Sequence, residues 1–200
     1  MNRFVATLVA FICITCAHAA GDSSKGQAIV GKVCAACHGF DGNSFLPANP
    51  SLAGQHEEYL LKQLTEFKSG ARSNPVMAGM VANLSADDLR NVAAYYASQT
   101  PKQMGAKDKD LVAQGRKLYR GGDAAKGIAA CAGCHSPNGA GIPVQYPRLA
   151  SQHADYVAAQ LKAFRAGDRA NDPNQMMRIT AIKLTDKEIA ALAEYISGLH

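Results

Sequence analysis

The sequence Cys34-Ala35-Ala36-Cys37-His38 recurs as Cys131-Ala132-Gly133-Cys134-His135, and these two pentamers decide the fold. In each, two cysteines three positions apart are followed at once by a histidine, which is the attachment pattern of a c-type haem. On a helical turn, positions i and i+3 share one face, so both thiols can bond one porphyrin while the histidine reaches the iron. The pattern predicts two covalently attached haem c groups, each with two thiols and one axial histidine (Cys34, Cys37 and His38; Cys131, Cys134 and His135).

Cysteine and histidine also bind zinc, and paired cysteines also form redox-active dithiols. Structural zinc requires four ligands in closed tetrahedral spacing, whereas the two cysteine pairs stand 97 residues apart. A redox dithiol of the Cys-x-x-Cys type is expected between a strand and a helix of a strand-helix-strand unit, and this helical sequence does not offer one. Both alternatives leave the histidine after each pair without a role.

The similarity between the two halves extends well beyond the pentamers. A shift of 97 residues aligns Pro50-Ser51-Leu52-Ala53 with Pro147-Arg148-Leu149-Ala150, and after Arg72 and Arg169 the shift becomes 100. The second half therefore carries three extra residues before Met177. A repeat of this length indicates two copies of one structural unit. Further matched pairs are Gln55 with Gln152, His56 with His153, Tyr59 with Tyr156, Gln63 with Gln160, and Phe67 with Phe164.

The N-terminus has the features of a secretory signal peptide over residues 1–19. Arg3 precedes an apolar run over residues 4–15, and Ala17-His18-Ala19 supplies small residues for cleavage. The apolar run is too short to span a membrane. Cys13 and Cys16 leave with the peptide, so the four cysteines of the mature chain all belong to the haem motifs. We therefore expect an exported protein without structural disulfides or a transmembrane segment.

The hydrophobic periodicity predicts an all-α fold of two tandem domains, because little of the sequence alternates as strands do. The domains span residues 20–100 and 109–200, and a linker with proline and glycine occupies residues 101–108. Aromatic residues make up 6% of the chain and tryptophan is absent, so two buried haems would supply apolar bulk that the cores lack. We predict helices near residues 23–36, 56–69, 85–99, 109–120, 153–166 and 185–198. Capping boxes are expected at Ser85-Ala86-Asp87-Asp88 and Thr185-Asp186-Lys187-Glu188.

A second axial ligand would close each iron, and methionine in that position raises the reduction potential. The repeat selects among four candidates, because Met77 falls on Met177 at an offset of 100. Met80 and Met176 have no methionine at the matching position and are expected to fill gaps in the core. We predict Met77 and Met177 as the ligands, each in a loop that follows a proline.

His56 and His153 are the alternative axial ligands, because they also repeat and neutral imidazole binds iron well. Both stand at the start of a helical pattern, where capping or a hydrogen bond to the haem edge is an equally ordinary role.

The carbonyls of Pro50 and Pro147 could accept the Nδ1–H of the haem-motif histidines and fix the rings, although a simple turn proline is the alternative. Candidates for contact with haem propionates, or else for surface and packing roles, are Tyr59, Tyr156, Arg72, Arg169 and Arg178.

Taken together, the two haem motifs and several shorter stretches resemble the cytochrome c4 family, periplasmic dihaem proteins built from two class I cytochrome c domains. The resemblance covers the mature chain and includes Asp41-Gly42-Asn43-Ser44, Leu60-Leu61-Lys62-Gln63-Leu64, Met177-Arg178 and Tyr195-Ile196-Ser197-Gly198-Leu199-His200. It implies a periplasmic location, domains related by a pseudo-twofold axis, and haem propionate edges that meet near the interface. The implied axial pairs are His38 with Met77 and His135 with Met177. The short stretch between Arg72 and Met77 departs from the family pattern.

An iron with both axial positions filled favours outer-sphere electron transfer over oxygen or peroxide chemistry. The chain is therefore expected to be an electron carrier and not an enzyme, and the resemblance implies flow from a quinol-oxidising complex (quinol-cytochrome c reductase) to a terminal oxidase. A peroxidase-like dihaem enzyme and a haem subunit of a membrane oxidase complex are the alternatives. Peripheral membrane association is left open, and no nucleic-acid partner is expected.

Charge is distributed unevenly along the mature chain. Residues 20–104 hold 7 Lys and Arg against 7 Asp and Glu, a net charge of 0, whereas residues 105–200 hold 13 against 9, a net charge of +4. The second domain is expected to guide docking to an acidic redox partner. The alternative is an ordinary solvated surface.

Overall fold

The fold is described from a computed structural model that covers residues 20–200, so the predicted signal peptide lies outside the described residues. Within this part of the chain, helices dominate and extended backbone forms only two isolated bridges, Asp123 with Ile128 and Ile142 with Tyr146. None of the helices found in residues 20–200 has the length and apolar character needed to cross a bilayer. The helices are α1 Ser23–Val33, α2 Ala35–His38, α3 Glu57–Ser69, α4 Pro75–Val81, α5 Ala86–Ala97, α6 Lys109–Gly121, α7 Ala132–His135, α8 Ala154–Ala166, α9 Met176–Ala181 and α10 Asp186–Ser197.

The same helix crossing organises both halves. Helix α1 packs on α5, and α6 packs on α10. At each crossing a glycine allows backbones to touch: a Cβ on Gly26 would lie 2.0 Å from the carbonyl oxygen of Asn91, and one on Gly115 would lie 2.0 Å from that of Ala191. The cores beside these crossings contain fully buried side chains such as Tyr96. Each half thus has its own core, as the repeat predicts.

Both predicted capping boxes are present. The Ser85 hydroxyl accepts a hydrogen bond from the N–H of Asp88, whose carboxylate accepts from the N–H of Ser85. Thr185 and Glu188 make the same exchange at the start of α10. The predicted helix near residues 23–36 ends earlier, because Cys34 closes α1 and the chain turns into α2.

Two short helices stand where loops were expected around the methionines, and that expectation was wrong. Asn74 caps α4, since its side chain accepts a hydrogen bond from the N–H of Met77 at 3.0 Å, and Pro75 occupies the first helical position. In the second half, Asp172 accepts hydrogen bonds from the N–H groups of Met177 and Arg178, both at 3.0 Å. Capping residues followed by proline are a helix-start signal that the sequence did contain.

Reciprocal hydrogen bonds join the two halves, as a pseudo-twofold relation requires. The Gln55 side chain donates to the carbonyl of Arg148 at 2.9 Å and accepts from its N–H at 2.8 Å. Gln152 makes the same pair of bonds with Ser51, both at 2.9 Å. Residues 101–108, between α5 and α6, form neither helix nor strand.

Candidate haem sites and the interface between them

A cavity opens in the second half, beside the Cys-x-x-Cys-His turn. Cys131 and His135 line one part of it, and Met177 lines another. The rest of the lining is almost entirely aliphatic, and it comes from Ile128, Leu149, Leu161, Thr180, Leu184, Leu192 and Ile196. A cavity with apolar walls, the first thiol of the haem motif and two potential iron ligands in its lining suits a porphyrin.

Each cysteine pair lies on a tight helical turn. In α2 the carbonyl of Cys34 accepts from the N–H groups of Cys37 and His38, and Cys131 plays the same part in α7. None of the four cysteines in residues 20–200 forms a disulfide, and the second of each pair is exposed. Burial raises the pKa of the first thiol, Cys34 or Cys131, to about 11 in each half. A thiol that resists ionisation is a poor redox nucleophile, so the dithiol alternative loses support.

The imidazoles of the two motifs are buried and oriented by the predicted proline carbonyls. His38 donates from Nδ1 to the carbonyl of Pro50 at 2.9 Å, and His135 donates to that of Pro147 at 3.0 Å. Burial lowers the pKa of both histidines, and the hydrogen bond to the carbonyl opposes part of that shift. A neutral ring with Nδ1–H engaged leaves Nε2 as the nitrogen that can bind iron.

The four methionines have different surroundings. Met77 packs against the buried cluster that contains Phe67, in the core of the first domain. Met80 is 47% exposed. In the second half, Met177 lines the cavity, whereas Met176 accepts a hydrogen bond from the hydroxyl of Tyr146 at 3.9 Å.

The histidine alternatives also differ from each other. The Nε2 atom of His153 lies 2.8 Å from the carbonyl oxygen of Ser44 in the other half, and it must donate because a carbonyl can only accept. The equivalent atom of His56 is buried and has no hydrogen-bond partner within residues 20–200. The repeat therefore holds for the sequence of these two residues but not for their contacts.

Two of the three arginines considered for haem propionates bind protein groups across the interface. Arg72 donates to Gln63, to Gln160 and to the hydroxyl of Tyr156, at 2.7, 2.9 and 3.1 Å. Arg169 mirrors it, donating to Gln160, Gln63 and the hydroxyl of Tyr59 at 2.8, 3.1 and 3.0 Å.

Each of these two guanidinium groups lies over a phenylalanine of its own half, 4.5 Å from the ring centre of Phe67 or Phe164. Burial alone would raise the pKa of Tyr59, but Arg169 and Arg72 together lower it. Arg178 pairs instead with Asp172 at 2.7 Å.

The similarity to known proteins agrees with the presence of two equivalent haem motifs in two repeated domains. The family model "Cytochrome c" matches residues 23–100 and 112–200. Cytochrome c4 of Azotobacter vinelandii is 51% identical over 214 residues, covering 100% of both sequences. The chain belongs to the cytochrome c4 family. The crystal structure of reduced recombinant cytochrome c4 from Pseudomonas stutzeri has a TM-score of 0.87 at 48% identity, and the match covers 90% of this chain and 100% of that one. The "thiosulfate dehydrogenase electron acceptor" of Thiomonas intermedia is 40% identical over 168 residues, 82% of this chain and 77% of that protein.

As a cytochrome c4, the chain is a dihaem electron carrier built from two cytochrome c domains, with one covalently bound haem c in each. The residues present fit that group, because the helical Cys-x-x-Cys-His turn and the aliphatic cavity meet in one place. When bound, a haem c supplies one-electron oxidation and reduction. The protein holds the ring, orients the histidine and excludes water.

Several interface residues in this cytochrome c4 went without a role in the sequence analysis. Gln55 and Gln152 belonged to the repeat, but a repeat shows equivalence and not the contact that each copy makes. Arg148 stands where the first half has Ser51, and that mismatch was the available signal. Asn171, one of the residues around the three-residue insertion, donates to Gln63 at 3.0 Å.

Proposed function

We propose that this dihaem cytochrome c carries electrons in the periplasm from a quinol-oxidising complex to a terminal oxidase, with His38 and Met77 as the axial ligands of one iron and His135 and Met177 as those of the other. The observation that carries the proposal is the second-domain cavity, which His135 and Met177 both line. An iron held between two protein ligands has no position for substrate, which favours electron transfer over catalysis.

The orientation of the histidines supports the same ligand assignment. A fixed hydrogen bond from Nδ1 to Pro50 or Pro147 removes rotation of the ring, so that little reorganisation accompanies a change of iron charge. Met77 and Met177 lie in the first turn of their short helices. Their N–H groups donate to the side chains of Asn74 and Asp172, both at 3.0 Å, and these bonds restrain the backbone from which each methionine projects.

Docking surfaces are expected where apolar side chains are exposed beside the haem motifs. In the first domain Phe45 is 71% exposed in the segment after the motif, and Val76 is 66% exposed on α4. In the second domain Val144 is 56% exposed after the motif, and Ile182 is 67% exposed after α9. Exposed apolar patches mark sites of interaction with other proteins. With a net charge of +4, the second-domain half favours an acidic acceptor, the terminal oxidase.

Ligand assignment can be tested with paired methionine variants. In the oxidised holoprotein, Met177→Ala should remove about half of the near-infrared Met-to-iron charge-transfer absorbance and should allow carbon monoxide to bind one iron after reduction. Met176→Ala is the matched control and should retain the full band. Met77→Ala and Met80→Ala form the same pair in the first domain. Loss of the band in Met176→Ala or Met80→Ala would overturn the assignment.

Partner and direction can be tested by stopped-flow kinetics at several salt concentrations. Reduced protein should transfer electrons to a detergent-solubilised terminal oxidase at a rate that falls as salt is added, because exposed charges are screened. Charge reversal of Lys187, on the exposed surface of α10, should lower that rate more than the same change at Lys25 on α1 of the first domain. A rate independent of salt would contradict docking through charge.

Recovery of the haem protein in a periplasmic extract, without an oxidase in equal amount, would distinguish the mobile carrier from a fixed subunit.

A further inference from the structure

Two buried polar atoms at the domain interface lack a partner within residues 20–200: Nε2 of His56 and Nε of Arg148. The two residues are neighbours across the interface, because one amide oxygen, Oε1 of Gln55, accepts from the main-chain N–H of His56 at 3.0 Å and from that of Arg148 at 2.8 Å. A buried donor without an acceptor is destabilising, because it has lost its hydrogen bonds to water and gained none. Nε of Arg148 can only donate, and Nε2 of His56 donates in the tautomer that carries its proton there, so an acceptor at this part of the interface would satisfy both atoms.

The equivalent position on the other side of the interface has no such need. Oε1 of Gln152 joins the N–H groups of Ser51 and His153 in the same way, at 2.9 and 3.1 Å. There Ser51 stands in place of Arg148, and His153 already donates from Nε2 to the carbonyl of Ser44. The pseudo-twofold relation is therefore broken at this point, and the unpaired donors lie on one side.

The missing acceptor should be an anion. Burial lowers the pKa of the Arg148 guanidinium, and no carboxylate of residues 20–200 offsets that effect. A guanidinium that has lost part of its hydration is stabilised by a counter-charge. In a haem c, the anionic groups are the two propionate carboxylates, and carboxylate oxygens are acceptors for both guanidinium and imidazole N–H groups.

Position assigns the carboxylate to the second haem. Arg148 directly follows Pro147, whose carbonyl accepts from His135, the axial histidine of the second domain. His56 is also expected to face that domain, because its repeat partner His153 reaches from its own domain into the other. We propose that Arg148 and His56 together bind a propionate of the second-domain haem, and that this contact raises the reduction potential of that haem relative to the first.

The direction of the effect follows from charge. Reduction adds one negative charge to the haem, so a fixed guanidinium nearby stabilises the reduced state. Ser51 offers no such charge to the first haem. The propionate contact does not depend on the proposed function, but its role in the cell does. If the chain passes electrons to an acidic acceptor, the electron would favour the second domain, which is the domain proposed to dock with that acceptor. Haem binding and the two potentials can be measured without any partner protein.

The test is an equilibrium redox titration of the full haem-loaded protein, followed by NMR. Haem signals are assigned to the second domain by their proximity to Ile128 and Leu192, which line its cavity. Arg148→Ser introduces the residue found at the equivalent first-domain position. In the one-electron-reduced protein, it should change the ratio of electron occupancy of the two haems about tenfold in favour of the first haem. That is the effect of a unit charge on the order of 10 Å from the iron at an effective dielectric constant of about 20. Arg148→Lys should keep most of the difference.

His56 provides an independent readout with a matched control. His56→Leu should lower the potential of the second haem, and His56→Gln, which retains an N–H donor, should lower it less. His153→Leu should leave the second potential unchanged, because that ring already donates to Ser44. If Arg148→Ser and His56→Leu, with both haems attached, shift neither potential, or shift only the first, the proposal is overturned.

A free inorganic anion is the other source of the same oxygen chemistry. Arg148 and Lys102 line a small polar crevice at the interface, which an ion such as phosphate could enter. The titrations are therefore repeated in a zwitterionic buffer and with added inorganic phosphate. An effect of Arg148→Ser that is the same in both buffers supports the propionate. An effect that appears only with phosphate would overturn it.

Discussion

Replacing Gln55 by leucine should weaken the contact between the two domains, because both ends of this buried amide bind the opposite main chain. Nε2 donates to the carbonyl of Arg148, and Oε1 accepts from the N–H groups of Arg148 and His56. Leucine has a similar volume and makes none of these three bonds. At about 1–3 kcal/mol for each buried group left unpaired, the loss is about 3 kcal/mol even at the low end of that range.

Differential scanning calorimetry of the holoprotein measures the effect. A loss of 1 kcal/mol lowers the midpoint by about 2–4 °C in a chain of this size, so Gln55→Leu should lower it by about 6–12 °C or split one transition into two. Gln152→Leu should behave alike, since Gln152 binds Ser51 in the same way. Gln114→Leu is the control, because that side chain is exposed on α6. A fall below about 2 °C in both interface variants would refute the reasoning.

Other predictions concern the cores and the response to acid. Gly26→Ala and Gly115→Ala should each destabilise the protein by about 2–3 kcal/mol in urea titrations, because the new Cβ meets a carbonyl oxygen. Gly79→Ala on α4, where nothing lies within 4 Å, should instead stabilise by about 0.5–1 kcal/mol; equal effects at the three positions would contradict the crossing geometry. The hydrogen bond from Lys126 lowers the pKa of Glu188 from 4.5 to about 2. A depressed folded-state pKa gives stability that is present above the ordinary value and lost as the pH falls towards about 2. The difference in thermal midpoint between wild type and Glu188→Gln should therefore shrink over that range, and a constant difference would count against it.

Features that depend on neighbours in sequence could be predicted well. The haem turns, the capping boxes and the longer helices follow from spacing and local hydrogen bonding, and the structure confirms the boxes at Ser85 and Thr185. The contact between Pro50 and His38 was also predictable, because the repeat preserved a proline at a constant distance from the motif. The domain boundaries and the assignment of Met77 rest on the same kind of reasoning and stay predictions.

Features that depend on the partner across the interface could not be predicted. Arg72 and Arg169 were matched as a pair, yet nothing local indicates that each donates to the tyrosine of the other half. The short helices at the methionines were missed for a different reason: a loop and a capped helix of two turns have similar compositions. The available signal was the capping residue followed by proline, and the contact of Asn74 with Met77 shows that this signal begins a helix in the first half.

The departures from the twofold relation explain how a carrier with two repeated domains can have two haem sites with different properties. With identical surroundings, the two haems would have equal potentials, and an electron would rest on either with the same probability. Three differences make the surroundings of the two haem sites unequal in this chain. Arg148 stands opposite Ser51, the second half carries the greater positive charge, and the inserted stretch adds contacts that the first half lacks. In that stretch Asn171 donates to Glu66 at 2.5 Å, and its carbonyl accepts from Lys62 at 2.8 Å. The contacts present in both halves join the two domains. The contacts present in only one half make the domains differ, so we expect them to determine any preferred direction of electron flow.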